Sequence, residues 1–215
     1  MKNLLYKEMK LSVHPTCYIF LILAVMLLIP NYPYYVAFFY QTLGIFFIFM
    51  NGNATNDIFF TTLLPIRKKD AVKARFVTVL LFEILQIVLS IPFAILRYDI
   101  LPAENLAGME ANAALFGLVL VMFGIFNVTF LPMFYKTAFK TGVPYLVACT
   151  AMLVFVGFAE AVIHLIPAWA KVLDTTNAVY FPQQSLVLLF GVLIFALLTA
   201  AAYTGSVKRF EKLDL

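Results

Sequence analysis

The sequence predicts an all-α integral membrane protein, with six transmembrane helices preceded by an amphipathic helix lying in the membrane interface. Three observations carry that expectation. The 215 residues are 64% hydrophobic and 12% charged, with a mean hydropathy of +0.97. A soluble domain carries about 25% charged residues, so one water-soluble core cannot hide this much apolar surface and lipid must cover the rest. The apolar residues fall in six blocks, most of them near the ~20 residues that cross the hydrocarbon. Finally, thirteen of the 15 Lys and Arg lie in four stretches outside those blocks, 1–16, 66–75, 136–140 and 208–212, leaving only Arg97 and Lys171 elsewhere. Cytoplasmic loops collect Lys and Arg, so both termini are expected in the cytoplasm.

Residues 1–15 are expected to form the interfacial helix, with Leu5, Met9 and Val13 at spacing four and Lys7 and Lys10 off that line. An apolar stripe beside basic residues suits the headgroup boundary. A helical extension of the first span is the alternative. The six spans occupy residues 16–205 of a single membrane domain, 1–215, with a cytoplasmic tail at 206–215. Span one, 16–29, is short and ends at a tight outer turn from Pro30 to Pro33. With no small-residue cleavage site there, a cleaved signal peptide is not expected. The next spans are 34–53, 76–96, 112–134, 143–166 and 183–203. An outer loop, 97–111, sets Asp99, Glu104 and Glu110 against Arg97. The outer segment 167–182 holds Trp169 and Tyr180, rings that favour the headgroup level. The 23 Phe suit lipid-facing surfaces. Cys17 and Cys149 read as buried thiols near cytoplasmic helix ends, suggesting neither a disulfide nor a metal site.

Several chemistries lack their residues. There is no Gly-x-x-x-x-Gly-Lys-Ser/Thr loop for phosphate and no His-Glu-x-x-His. The two histidines, His14 and His164, are predicted on opposite sides of the membrane, so a two-histidine metal site is not expected. No Gly-x-Ser-x-Gly elbow occurs. Catalytic residues are therefore not expected, although an unrecognised intramembrane enzyme remains an alternative. The basic residues are split among loops, which suits an anionic inner leaflet and not a nucleic acid.

Ionisable residues inside spans are costly unless paired or wet. Glu83, Gln86 and Ser90 share one helical face of the third span, expected to point to a partner helix or a water-filled path. Asn127 on the fourth span lies at similar depth. These groups are candidates for the translocation path, including a proton role, or for interhelical hydrogen bonding. Glu160 and His164, four apart near the outer end of the fifth span, form a second polar pair. Gly117 with Ala113, and Gly157 with Ala161, offer small faces for close helix contact.

The segment from Asn51 to Arg75, between the second and third spans, carries Asn56-Asp57, then Leu64-Pro65-Ile66-Arg67, then Val72-Lys73-Ala74-Arg75-Phe76 opening the third span. Asn56 or Asp57 can cap a short helix, Ile58, Phe59, Phe60, Leu63 and Leu64 give it an apolar surface, and Pro65 stops it. In these motifs, their place and the whole layout, the chain resembles the small six-span permease subunits of ABC-2-type transporters. The resemblance implies the ABC-2 (type V-like) permease fold and a coupling helix that inserts into an ATPase subunit through Asn56, Asp57, Phe59, Phe60, Leu64, Pro65 and Arg67. It implies a second permease chain, identical or not. It also implies that ATP and Mg bind the partner ATPase and that this chain holds no cofactor. The expected setting is a bacterial plasma membrane. The cargo expectation is amphipathic peptides or other hydrophobic or antimicrobial compounds, by resemblance to exporters of phenol-soluble-modulin-type peptides. The alternatives are an ordinary basic loop in place of the coupling helix, and a non-transporting immunity or scaffold subunit that binds a peptide.

Overall fold

The computed structural model describes residues 2–63, 65–100 and 105–212, apart from the side chains of Thr62 and Asp99. Leu64 and Glu104 lie outside the described residues. Among those described, every regular element is helical. In chain order these are α1 (Lys2–Ser12), α2 (Thr16–Leu28), α3 (Tyr35–Ala54), α4 (Asp57–Thr62), α5 (Lys68–Ile100), α6 (Ala113–Lys136), α7 (Gly142–Leu165), α8 (Pro167–Leu173) and α9 (Phe181–Glu211). Among the described residues, α3, α5, α6, α7 and α9 are long and apolar enough to cross a membrane.

α1 and α2 are long and apolar enough for a sixth crossing only when taken together, and they meet at 86°. The bend falls at His14-Pro15, where His14 Nδ1 accepts from the Thr16 amide at 3.3 Å. Proline restricts the residue before it and suits a helix start. Although α2 is short, its second half, Leu23–Leu28, is 3-10 helix. A rise near 2.0 Å per residue there, against 1.5 Å in the first half, stretches it to ~22 Å.

Three boundaries differ from the sequence expectation. Helix α5 starts at Lys68, so Lys68, Lys69, Lys73 and Arg75 ride its first turns and not a loop. It also runs to Ile100, so Arg97 and Asp99 belong to the helix and not to an outer loop. Buried Arg97 reaches Glu110 at 3.1 Å, and a buried cation with a partner need not break the helix to find water. Helix α9 continues to Glu211, so the tail is helical as far as that residue.

The centre of the bundle is α6, with 78% of its apolar stretch buried within the chain against 22% for α7. Its main partner is α9, which runs parallel to it. Gly117 faces Val187 and Leu188, Gly191 faces Gly117, Gly124 meets Phe195 and Leu198, and Gly205 lies under Pro132. Between membrane helices there is no hydrophobic driving force, so close backbone approach through small residues supplies dispersion. Gly157 does the opposite of what its spacing suggested: it is exposed, and a Cβ there would meet nothing within 4 Å. The phenylalanines are likewise not all lipid-facing. Phe49, Phe126, Phe130 and Phe134 are buried and pack against one another at 4.7–6.2 Å, with edge-to-face pairs among them.

Candidate functional site

At the end of the bundle that carries most of the basic residues, α4 projects as a single short turn of helix. Asn56 precedes it in the left-handed region at φ 52°, and its side chain makes no capping hydrogen bond. Asparagine tolerates this conformation, so Asn56 serves by turning the backbone between α3 and α4. Asp57 does not cap either. Its carboxylate points inward, where Lys7 Nζ lies at 2.6 Å, an Arg75 guanidinium nitrogen at 2.5 Å, and Ser12 Oγ donates at 3.1 Å. The capping expectation is corrected because two cations, buried Arg75 and partly buried Lys7, compete better for the carboxylate than the free N–H groups of a six-residue helix.

Arg75 completes a closed cluster. Its Nε reaches Glu8 at 2.6 Å, and Lys7 reaches Glu8 at 3.2 Å. The guanidinium lies over the Phe49 ring, 5.3 Å from its centroid, and beside Gly52, where a Cβ would stand 3.1 Å from it. Two cations and two anions thus tie α1, α4 and α5 together in a buried, charge-balanced knot beside α3. Burial alone would raise the Asp57 carboxyl, but Arg75 and Lys7 outweigh it and hold it below the ordinary carboxylate range. A depressed folded value means the anchor is fully present above the unfolded carboxylate range, near pH 4, and is lost as pH falls through the folded value.

The opposite face of α4 is more open to its surroundings. Phe59 is 52% exposed, Phe60 61% and Leu63 67%, with the two rings in edge contact at 6.2 Å. Ile58 instead packs against the core. Leu64 lies outside the described residues. α4 ends at Thr62, so Pro65 follows the helix end at a short distance. Arg67 precedes α5, where its Nε donates to Asp70 at 2.8 Å; an exposed pair of this kind contributes little.

Inside the span region, Asn127 Nδ2 donates to Glu83 Oε2 at 3.0 Å and to Thr199 Oγ1 at 3.3 Å. This joins α5, α6 and α9. Gln86 and Ser90 are fully buried on the same face as Glu83, and Ser90 Oγ donates to the Gln86 carbonyl at 2.7 Å. Glu83→Gln keeps the acceptor for Asn127, so the folded protein and its melting temperature are expected to match the parent. Glu83→Leu should lower stability by ~1 kcal/mol through the unpaired amide. Equal melting of both variants would show that the hydrogen bond does not hold the helices.

At the far end, Glu160 and His164 meet at 2.9 Å. His164 also stands 3.7 Å from Asp174, and Glu160 accepts from the Met109 amide at 3.3 Å. Glu8, Ser12, Arg75 as an anchor, and Thr199 belong to these sites without being expected from the sequence. Signals for them existed: Glu8 and Ser12 are four apart, and Arg75 lies between Val72, Phe76 and Val79 on an apolar face. Among the described residues no group of three or more His, Cys, Asp or Glu is placed to hold a metal ion.

No curated protein and no solved structure matches this chain. A family model described as ABC-2 family transporter protein does match, over residues 3–211. That is nearly the whole chain, from α1 through α9. A bundle of five long apolar helices and a bent sixth, with a short amphipathic projection between α3 and α5, agrees with it. The chain belongs to the ABC-2 transporter family and is a multi-pass membrane permease component of an ABC transporter.

Proposed function

We propose that this permease is the membrane half of an ATP-driven exporter in a bacterial plasma membrane, coupled through residues 57–70 to a separate ATPase that carries ATP and Mg. A second permease chain, identical or related, completes the assembly. The observation that carries the reading is α4. It holds two exposed phenylalanines outward and is anchored inward by the Lys7–Glu8–Asp57–Arg75 cluster. A groove on an ATPase that accepts Phe59 and Phe60 gains about 2 kcal/mol for each ring fully buried. Movement of α4 then passes to α5 and α1 through charged side chains that cannot separate cheaply. The cargo that fits this reading is an amphipathic peptide or another hydrophobic or antimicrobial compound, released outward as helices around α6 shift.

In this reading the basic end is cytoplasmic, as the Lys/Arg distribution favours. Single cysteines test it in intact cells. Leu106→Cys, at an 85% exposed far-end position, should react with an impermeant thiol reagent, and Leu63→Cys should not. The reverse pattern would invert the topology. Affinity purification in mild detergent tests the assembly: a tagged chain should retain a nucleotide-hydrolysing subunit. A folded chain that retains a peptide and no ATPase would instead support the non-transporting immunity or scaffold subunit.

A further inference from the structure

A cavity of about 680 Å³ opens at the far end between α3, α6, α7 and the 106–108 turn. Its walls are apolar along most of their length, with Val36 and Phe39 of α3, Met122 of α6, and Met152 and Val156 of α7. Its mouth is polar and carries Glu160 and His164. From Met152 to His164 is twelve residues along α7, or ~18 Å at 1.5 Å per residue. Half of a ~30 Å hydrocarbon core is ~15 Å. The cavity therefore has the length and the polarity gradient of one amphiphile standing along the bilayer normal, and its volume falls in the range that holds one drug-sized ligand.

The charge at the mouth selects the head group. Glu160 lies against the 108–109 backbone, with Gly108 so close that a Cβ there would come within 3.1 Å of Glu160 Oε1. His164 bridges Glu160 and Asp174, at 2.9 and 3.7 Å. Glu160 is the one acidic residue among the cavity's described lining residues, and no Lys or Arg is among them. Neither Arg97, which pairs with Glu110 at 3.1 Å, nor Lys171 is among the cavity's described lining residues. Tyr35 and Tyr40 add aromatic faces to the wall, surfaces that attract an ammonium group.

We infer that this cavity binds a single-chain cationic amphiphile, its ammonium group at Glu160 and its apolar tail directed toward Met152. The inference deepens the exporter reading by naming a cargo class and its seat, and it rests on that reading only for the word cargo. Binding is measurable without any ATPase, so its failure and a failure of the ATPase assembly are told apart.

The test uses the full chain in nanodiscs and three dansyl probes: dodecylammonium, the neutral dodecyl alcohol, and a two-chain phosphatidylcholine. Probe emission reads binding. The parent should bind the ammonium probe about tenfold more tightly than the alcohol, a difference of about 1.4 kcal/mol. Glu160→Gln retains the acceptor for Met109 and should erase the preference while still binding the alcohol. Ala107→Lys, which adds a cation at the mouth without touching Glu160, should erase it too. Met152→Trp should weaken both single-chain probes by filling the apolar end. Equal binding of ammonium and alcohol by the parent would overturn the inference, as would a preference untouched by both Glu160→Gln and Ala107→Lys. Displacement of the ammonium probe by the phosphatidylcholine at equal concentration would make the cavity a lipid site and overturn it as well.

Discussion

Replacing Gly191 with leucine is expected to abolish the folded permease, because the α6–α9 seam closes through this residue. A Cβ at Gly191 would fall on the backbone of Gly117, and one at Gly117 would stand 2.6 Å from the Val187 carbonyl oxygen and 2.8 Å from Leu188 Cα. These neighbours are backbone atoms, so relief requires the two helices to separate along their largest interface. Even Gly191→Ala should cost ~3 kcal/mol, at the upper end of what overpacking does in cores. At about 2–4 °C per kcal/mol for a chain of this size, that is a fall of roughly 10 °C in Tm. Gly157→Ala, with nothing within 4 Å, should melt like the parent. Matching melting curves for the Gly191 and Gly157 variants would contradict the packing described for α6 and α9.

The second large effect is expected at Arg75. Arg75→Ala leaves Glu8 and Asp57 buried with Lys7 alone to balance them. Removing one partner of a buried ion cluster costs about 3–5 kcal/mol, whereas replacing the whole cluster by apolar groups can be neutral. The single variant should therefore release α1 and α4 from α5, seen as rapid proteolysis at residues 55–67 in detergent. The combined variant Lys7→Met, Glu8→Gln, Asp57→Asn, Arg75→Met should recover much of the lost protection. Protection of the single variant at the parent's level would show that the cluster does not anchor α4.

The span pattern was legible because hydropathy and the positions of Lys and Arg are properties of blocks of sequence. The ends were less legible. Arg97 looked like a loop residue since a charge normally marks the edge of a span; only the fold brings Glu110 within 3.1 Å of it and lets α5 continue. The Glu83–Asn127 approach was readable from depth and face. Thr199 was not, because a threonine on an apolar helix gives no hint of its neighbour. At α4 the sequence displayed the exposed aromatics but not the anchor. Asp57 read locally as a cap, and its true partners, Lys7, Ser12 and Arg75, are 50, 45 and 18 positions away. Small-residue spacing could not separate Gly117, which meets α9, from Gly157, which faces outward, since both satisfy the same local pattern.

On the proposed coupling, Phe59 and Phe60 are the part of this permease that an ATPase grips. The most direct measurement compares the tagged parent with the double variant Phe59→Ala, Phe60→Ala, recording both the amount of ATPase subunit retained in detergent and its hydrolysis rate. Loss of two rings worth about 2 kcal/mol each should weaken association by about 700-fold and remove the stimulation, while yield and Tm of the permease stay unchanged because neither ring packs in its core. Retention and stimulation equal to the parent's would contradict the account.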